Sequence, residues 1–130
     1  MSKTVKDYIA EANAVVPRVT KAEAEEMIAS GALVVDVRDE PEVAKSGKVA
    51  GAHHVSRGML EFRADEGTPY HDPAFRRDRP TIVYCASGGR SALAGARLKE
   101  MGYEKVYNLG GFKDWAEAGG AVEHPIDPGM

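Results

Sequence analysis

Apolar positions along the chain alternate between two periods. Val5, Tyr8, Ile9 and Ala12 recur at helical spacing and predict a short amphipathic helix closed by Pro17. Thr20 and Glu23 have the spacing of a capping box. Ala24, Met27 and Ile28 then give the buried stripe of a second helix, stopped by Gly31. Residues 32–37 form a nearly unbroken apolar run, the pattern of a strand covered on both faces. Pro41 stands where a short helix would open. Val49 to Val55 reads as one further strand, and Ser56 as the cap of a helix carrying Met59, Leu60 and Phe62.

Between Ala64 and Arg79 no period holds beyond one helical turn at Asp72-Pro73, so this segment is either functional or a surface insertion. Thr81 to Tyr84 is β-branched and aromatic, as strands prefer. From Ser91 onward, Ala94, Leu98 and Met101 give a helix face that ends at Gly102. Val106 to Leu109 predicts a strand, Gly110-Gly111 a turn and Phe112 to Ala118 a short helix. Strands alternating with helices predict an α/β domain with a parallel sheet and helices on both faces.

Composition narrows the picture. The chain has 130 residues, 43% hydrophobic and 28% charged, as expected for one soluble globular domain spanning 1–130. A net charge of -3 argues against nucleic acid and anionic membranes as general partners, so any anion site must be local. The start, Met1 to Asp7, is polar and lacks the apolar core of an export signal. No apolar run approaches the ~18 residues of a membrane span. A single Cys excludes an internal disulfide and a multi-cysteine metal site, and a free thiol fits the cytoplasm, the expected compartment.

The chemistry concentrates in Cys85-Ala86-Ser87-Gly88-Gly89-Arg90-Ser91. A strand delivers Cys85 to the carboxyl edge of a parallel sheet, where ligands bind. A turn running into a helix N-terminus can aim successive backbone N–H groups inward as an anion cradle. Gly88 and Gly89 permit the tight turn, and Arg90 adds a permanent cation. A free thiol is only about 3% ionised at pH 7, and making it mostly thiolate asks about 2.7 kcal/mol of its surroundings. A helix terminus contributes about 1 kcal/mol of that, leaving the rest to amides and the guanidinium. An inert buried thiol is the ordinary state of a lone Cys. The glycine-and-Arg loop entering a helix favours a nucleophile instead.

This loop and three other motifs resemble the rhodanese family over Thr20 to Val122, with residues 1–19 as a helical extension. The other motifs are Leu33 to Glu42, Gly47 to Ala52, and Leu109-Gly110-Gly111-Phe112-Lys113-Asp114-Trp115. The resemblance implies a three-layer α/β domain whose Cys takes sulfur from a donor such as thiosulfate. The resulting persulfide passes it to cyanide, a thiol or a protein thiol. The nucleophile then maps onto Cys85, the donor-binding loop onto Ala86 through Ser91, and supporting residues that brace the loop onto Asp36 and Arg38. No cofactor or metal is implied. Four residues separate Cys85 from Arg90, whereas Cdc25-like cysteine phosphatases carry five, so the loop favours sulfur over phosphate or arsenate. Lys48 and Ala50 depart from the family's Gly-His-Ile-Pro-Gly-Ala pattern and put the local turn in question. With no second Cys, the acceptor must be external.

Other residues read more plainly. His53 and His54 point to opposite faces of a strand and cannot share a metal, and His71 and His124 carry no metal pattern. Arg57 is a possible pocket residue. Arg63, Arg76 and Arg77 are expected at the solvated surface, and Trp115 in the core. The expected activity is a sulfurtransferase. The alternatives are a binding or sulfur-sensing module on the same fold, and a phosphatase or arsenate reductase.

Overall fold

A computed structural model describes residues 2–124. Helix α1 (Val5–Val15) starts beneath Thr4, whose hydroxyl accepts from the Asp7 amide while the Asp7 carboxylate accepts from the Thr4 amide. It buries Ala12, and Val16 just beyond it, whereas Val5 and Tyr8 stay exposed. The buried stripe is therefore shifted from the expected one, because only this side of α1 meets the sheet-covering helix α5 (Gly89–Glu100). Helix α2 (Lys21–Ala29) carries the expected Thr20–Glu23 capping box, and Gly31 follows it at φ 102°.

Strand β1 (Leu33–Asp36) is buried throughout. Helix α3 (Glu40–Ser46) has Pro41 in its first turn. The predicted strand at 49–55 is two short strands in different sheets. β2 (Lys48–Val49) pairs antiparallel with β6 (Val122–Glu123), and β3 (His53–His54) pairs parallel with β1. Gly51, at φ 80°, makes the break. Ser56 makes no side-chain cap. A 3-10 turn at Arg57–Met59 leads into the short helix α4 (Leu60–Ala64), with Phe62 exposed.

The segment 64–79 is irregular, as expected, and Asp72 starts a single turn there. It is pinned by Phe75, which is buried edge-on to Tyr103, and by the Tyr103 hydroxyl donating to the Ala64 carbonyl at 2.6 Å. Strand β4 (Thr81–Cys85), helix α5 (Gly89–Glu100), strand β5 (Val106–Gly111) and helix α6 (Phe112–Glu117) complete the domain. Gly110-Gly111, read as a turn, instead ends β5 and pairs with Tyr84 and Cys85.

The main sheet is parallel, in the order β3-β1-β4-β5. Alternation along its strands separates two cores. Val35, Val83, Ala94, Leu98 and Val106 pack with Cys85 beneath α5, while Val34, Ile82, Tyr84, Leu109 and Trp115 pack on the other face. The result is a three-layer α/β domain in which the four strands of the main sheet point their carboxyl ends at one edge.

Candidate active site

Cys85 ends β4, and its neighbours explain its setting. Ala86 and Ser87 form an exposed tip. Gly88 turns the chain at φ 104° and caps α5, which starts two residues earlier than the apolar pattern predicts. Gly111 lacks a side chain where the Ala86 carbonyl passes, since a Cβ there would lie 2.5 Å from that oxygen. The folded-back loop aims donors at sulfur. Cys85 Sγ accepts from the Gly88 amide at 3.0 Å and from the Ser91 amide at 3.4 Å, with the Ser91 hydroxyl also at 3.4 Å. The Ser91 amide belongs to the first turn of α5, where N–H groups have no partner within the helix. Cys85 is 1% exposed, so burial pushes its thiol up. Hydrogen bonds from the Ser91 side chain and from the Ser91, Gly88 and Ser87 amides outweigh this and hold the thiol below its ordinary range.

Asn108, read only as a strand residue, organises the cradle. It is 1% exposed. Its Oδ1 accepts from the Ser91 hydroxyl at 2.8 Å and from the Gly110 amide at 2.9 Å, while Nδ2 donates to the Gly88 carbonyl at 3.2 Å. A hydroxyl has one hydrogen, so Asn108 and sulfur compete for it, and Asn108 stands closer. The readable signal was an amide side chain inside an apolar strand, where Asn is disfavoured.

The expected cation is engaged elsewhere. Arg90 donates to both oxygens of Glu42, on α3, at 2.7 and 2.9 Å. Glu42 is thereby held down at about 2, chiefly by Arg90, and Arg90 is pushed up. The guanidinium ties α3 to α5 and makes no hydrogen bond to sulfur, so the two amides and the Ser91 hydroxyl supply the direct contacts to Sγ. Glu42 was not among the expected site residues.

Asp36 and Arg38 brace a different place from the one expected. Arg38 grips both oxygens of the buried Asp36 at 3.0 and 2.7 Å and donates to Ser46 Oγ at 2.9 Å and the Gly47 carbonyl at 2.7 Å. The Tyr84 hydroxyl donates to Asp36 at 2.6 Å and accepts from the Val49 amide at 2.9 Å. Burial beside Asp36 pushes the Tyr84 phenol far up, so it stays a donor. The pair thus fixes the end of α3 and the residue before Cys85. Its hydrogen bonds do not reach the 86–91 loop.

Arg57 pairs with Glu61 at 2.9 Å. It lines a groove of about 1030 Å³ between α1 and α5, together with Tyr8, Val15 and Leu93, that contains no residue of the sulfur loop. His54 Nε2 meets the Arg38 carbonyl at 2.7 Å and His53 faces Asp72. Arg76 and Arg77 pair with Asp78 and Glu66 at the surface, and Trp115 is buried with its indole N–H on the Ala121 carbonyl.

A family model described as rhodanese-like domain matches residues 20–118. The chain belongs to this rhodanese family. It is 34% identical over 110 residues to the thiosulfate sulfurtransferase GlpE of Haemophilus influenzae, covering 84% of this chain and 92% of that one. Among solved structures it is similar to a protein of unknown function from Rhodopseudomonas palustris, described as a possible tyrosine phosphatase. That match has a TM-score of 0.86 and 38% identity, covering 95% and 96% of the two chains. It is also similar to the polysulfide-sulfur transferase homodimer of Wolinella succinogenes, with TM-score 0.72, 30% identity and coverage of 91% and 85%.

The departure of this rhodanese domain at Lys48 and Ala50 is absorbed locally. Lys48 Nζ donates to the Ala52 carbonyl at 2.5 Å and to Glu123 at 2.7 Å, while the Ala50 amide donates to the Ala121 carbonyl at 3.0 Å. The β2–β6 ribbon closes the turn here.

Proposed function

We propose that the chain is a sulfurtransferase that moves sulfane sulfur from a thiosulfate-like donor to cyanide or a thiol, through a persulfide on Cys85. The acting unit is a single rhodanese-like domain preceded by a helical extension. The cytoplasm suits its free thiol, and no helix among the described residues is long and apolar enough to cross a membrane. The observation that carries the reading is a thiol whose sulfur accepts from two loop amides at a strand-to-helix junction.

The thiolate attacks the outer sulfur of thiosulfate. An S–S bond to Cys85 forms, the bond to the sulfonate sulfur breaks, and sulfite leaves with the electron pair. The charge now on the outer sulfur remains within reach of amides already aimed inward, which need no reorganisation. An external nucleophile then takes that sulfur and restores the thiolate. Intact mass after thiosulfate treatment tests this. Wild type gains one sulfur atom and Cys85→Ser none; wild type without added sulfur, or equal loading of both, defeats the proposal.

A phosphatase reading has one observation behind it, the description of the R. palustris relative. The four-residue spacing and the Arg90–Glu42 pair weigh against it. Turnover of p-nitrophenyl phosphate that depends on Cys85 is the result that would revive it.

A further inference from the structure

The three arginines that the sequence assigned to the site, as support (Arg38), possible pocket residue (Arg57) and loop cation (Arg90), are all engaged by carboxylates: Arg38 by Asp36, Arg57 by Glu61 and Arg90 by Glu42. Yet a thiosulfate donor is a dianion. When its outer sulfur meets Sγ, the departing sulfonate sulfur lies two S–S lengths away, about 4 Å. The two amides that hold Sγ stand 3.0 and 3.4 Å from it, so a charge displaced outward by that length is best met by a cation at the rim that is not already paired.

Arg18 precedes α2 and is held as an extra strand residue beside β5. It forms a parallel bridge with Asn108, flanked by the Asn108 amide donating to the Pro17 carbonyl at 2.9 Å and the Val19 amide donating to the Asn108 carbonyl at 3.1 Å. Its side chain crosses the end of β5 toward the sulfur loop. Nη1 lies 3.6 Å from where a Cβ on Gly88 would begin, and Nη2 fills the space a Cβ on Gly110 would need. Both glycines have positive φ, 104° and 97°, so the floor beneath the guanidinium is bare backbone. The Gly88 amide is the nearer of the two that reach Sγ. Among the described residues Arg18 makes no ion pair or side-chain hydrogen bond, and it is exposed. A guanidinium is always charged and offers a planar set of donors suited to an oxyanion.

We propose that Arg18 is the donor-recognition cation of this domain, binding the sulfonate end of thiosulfate at the rim of the Cys85 loop. This inference rests on the sulfurtransferase reading above. The sulfonate end gains negative charge as the S–S electron pair leaves with it, from about one charge in bound donor to about two in departing sulfite. A rim cation therefore stabilises the transition state more than the ground state, and its removal lowers kcat/KM for the donor.

Steady-state transfer to cyanide tests this in wild type, Arg18→Gln and Arg18→Lys. Arg18→Gln lowers kcat/KM for thiosulfate about tenfold, and Arg18→Lys restores part of the loss. With an alkanethiosulfonate, a monoanion whose leaving group is a singly charged sulfinate, the fall is about threefold. Sulfite protection of Cys85 against a neutral alkylating agent reads binding without turnover, and Arg18→Gln weakens it. Unchanged kcat/KM for thiosulfate, or equal sulfite protection in wild type and Arg18→Gln, overturns the role of Arg18. Wild type that binds sulfite but gains no sulfur defeats the transferase reading instead.

Discussion

The buried Asp36–Arg38 pair makes the sharpest quantitative prediction. Both side chains are almost wholly buried, at 0% and 4% exposure, and the pair is bidentate. Asp36→Asn keeps the shape but removes the counter-charge. It also turns an amide N–H toward the Arg38 Nη2 and the Tyr84 hydroxyl, which both need acceptors. Arg38→Met leaves a buried carboxylate and strips the Gly47 carbonyl of its donor. Breaking such a pair from one side costs about 3–5 kcal/mol. At about 2.1 cal/mol/K per residue, a chain of 130 residues unfolds with about 0.27 kcal/mol/K, so each single change lowers Tm by about 11–18 °C. The double variant holds no buried charge and costs less than the two singles together, by about 2–3 kcal/mol. Thermal and urea unfolding of the four proteins measure this cycle. Additive losses, or a single-variant Tm drop below about 5 °C, would refute the reasoning. Cys85 alkylation in the folded Asp36→Asn protein stays within about twofold of wild type, because Tyr84, which links the pair to β4, faces away from the thiol.

Ser91→Ala removes a donor from Cys85 Sγ and raises the thiol pKa. Because Asn108 competes for that hydroxyl, alkylation at pH 7 slows only roughly threefold, as a pH series of iodoacetamide rates will show. Glu42→Gln acts on stability against pH. In the folded protein Glu42 sits at about 2 instead of 4.5, so its contribution is complete above about 4.5 and is lost as pH falls toward 2. Urea unfolding of the variant lacks that slope. At pH 7 it costs at most about 1 kcal/mol, since both partners are more than a third exposed. Gly95→Ala drives a methyl to 2.9 Å from Val16 Cγ1, beneath α1. Overpacking costs about 1–3 kcal/mol against a helix-propensity gain of about 1 kcal/mol, so the variant is no more stable than wild type on urea unfolding.

Local signals carried most of the framework. β1 and β4 announced themselves because both are buried throughout and leave no polar face, and the four motifs in register named the family. Cys85 was legible for the same reason, since a strand, a glycine turn and a helix are each local. What escaped depended on distant partners. Residues 49–55 have uniform strand character, and their division into β2 and β3 follows from pairing with Val122 and Glu123. The start of α5 at Gly89 carries no capping side chain to mark it, because Gly88 caps through its left-handed backbone. Glu42 claims Arg90 across 48 positions, and a charge on one helix does not reveal a partner that far away. Asn108 was legible in principle as an amide in an apolar strand, but its role needs Ser91 and Gly88 folded above it.

The diversion of Arg90 has a consequence for the chemistry. With the guanidinium committed to Glu42, the groups in contact with Sγ are two backbone amides and one hydroxyl, and none of these ionises in the neutral range. Glu42 does not titrate there either, being held at about 2. The rate of persulfide formation from excess thiosulfate should therefore rise with pH through a single ionisation, that of Cys85, and then level off between pH 5 and 9. The plateau is reached earlier than for an unassisted thiol, because the cradle lowers the Cys85 pKa. Single-turnover sulfite release across that range measures the curve. A bell-shaped profile, or a second ionisation that survives in Glu42→Gln, would mean that a titrating side chain shares the step, and that the amide cradle is not the sole immediate support of the nucleophile.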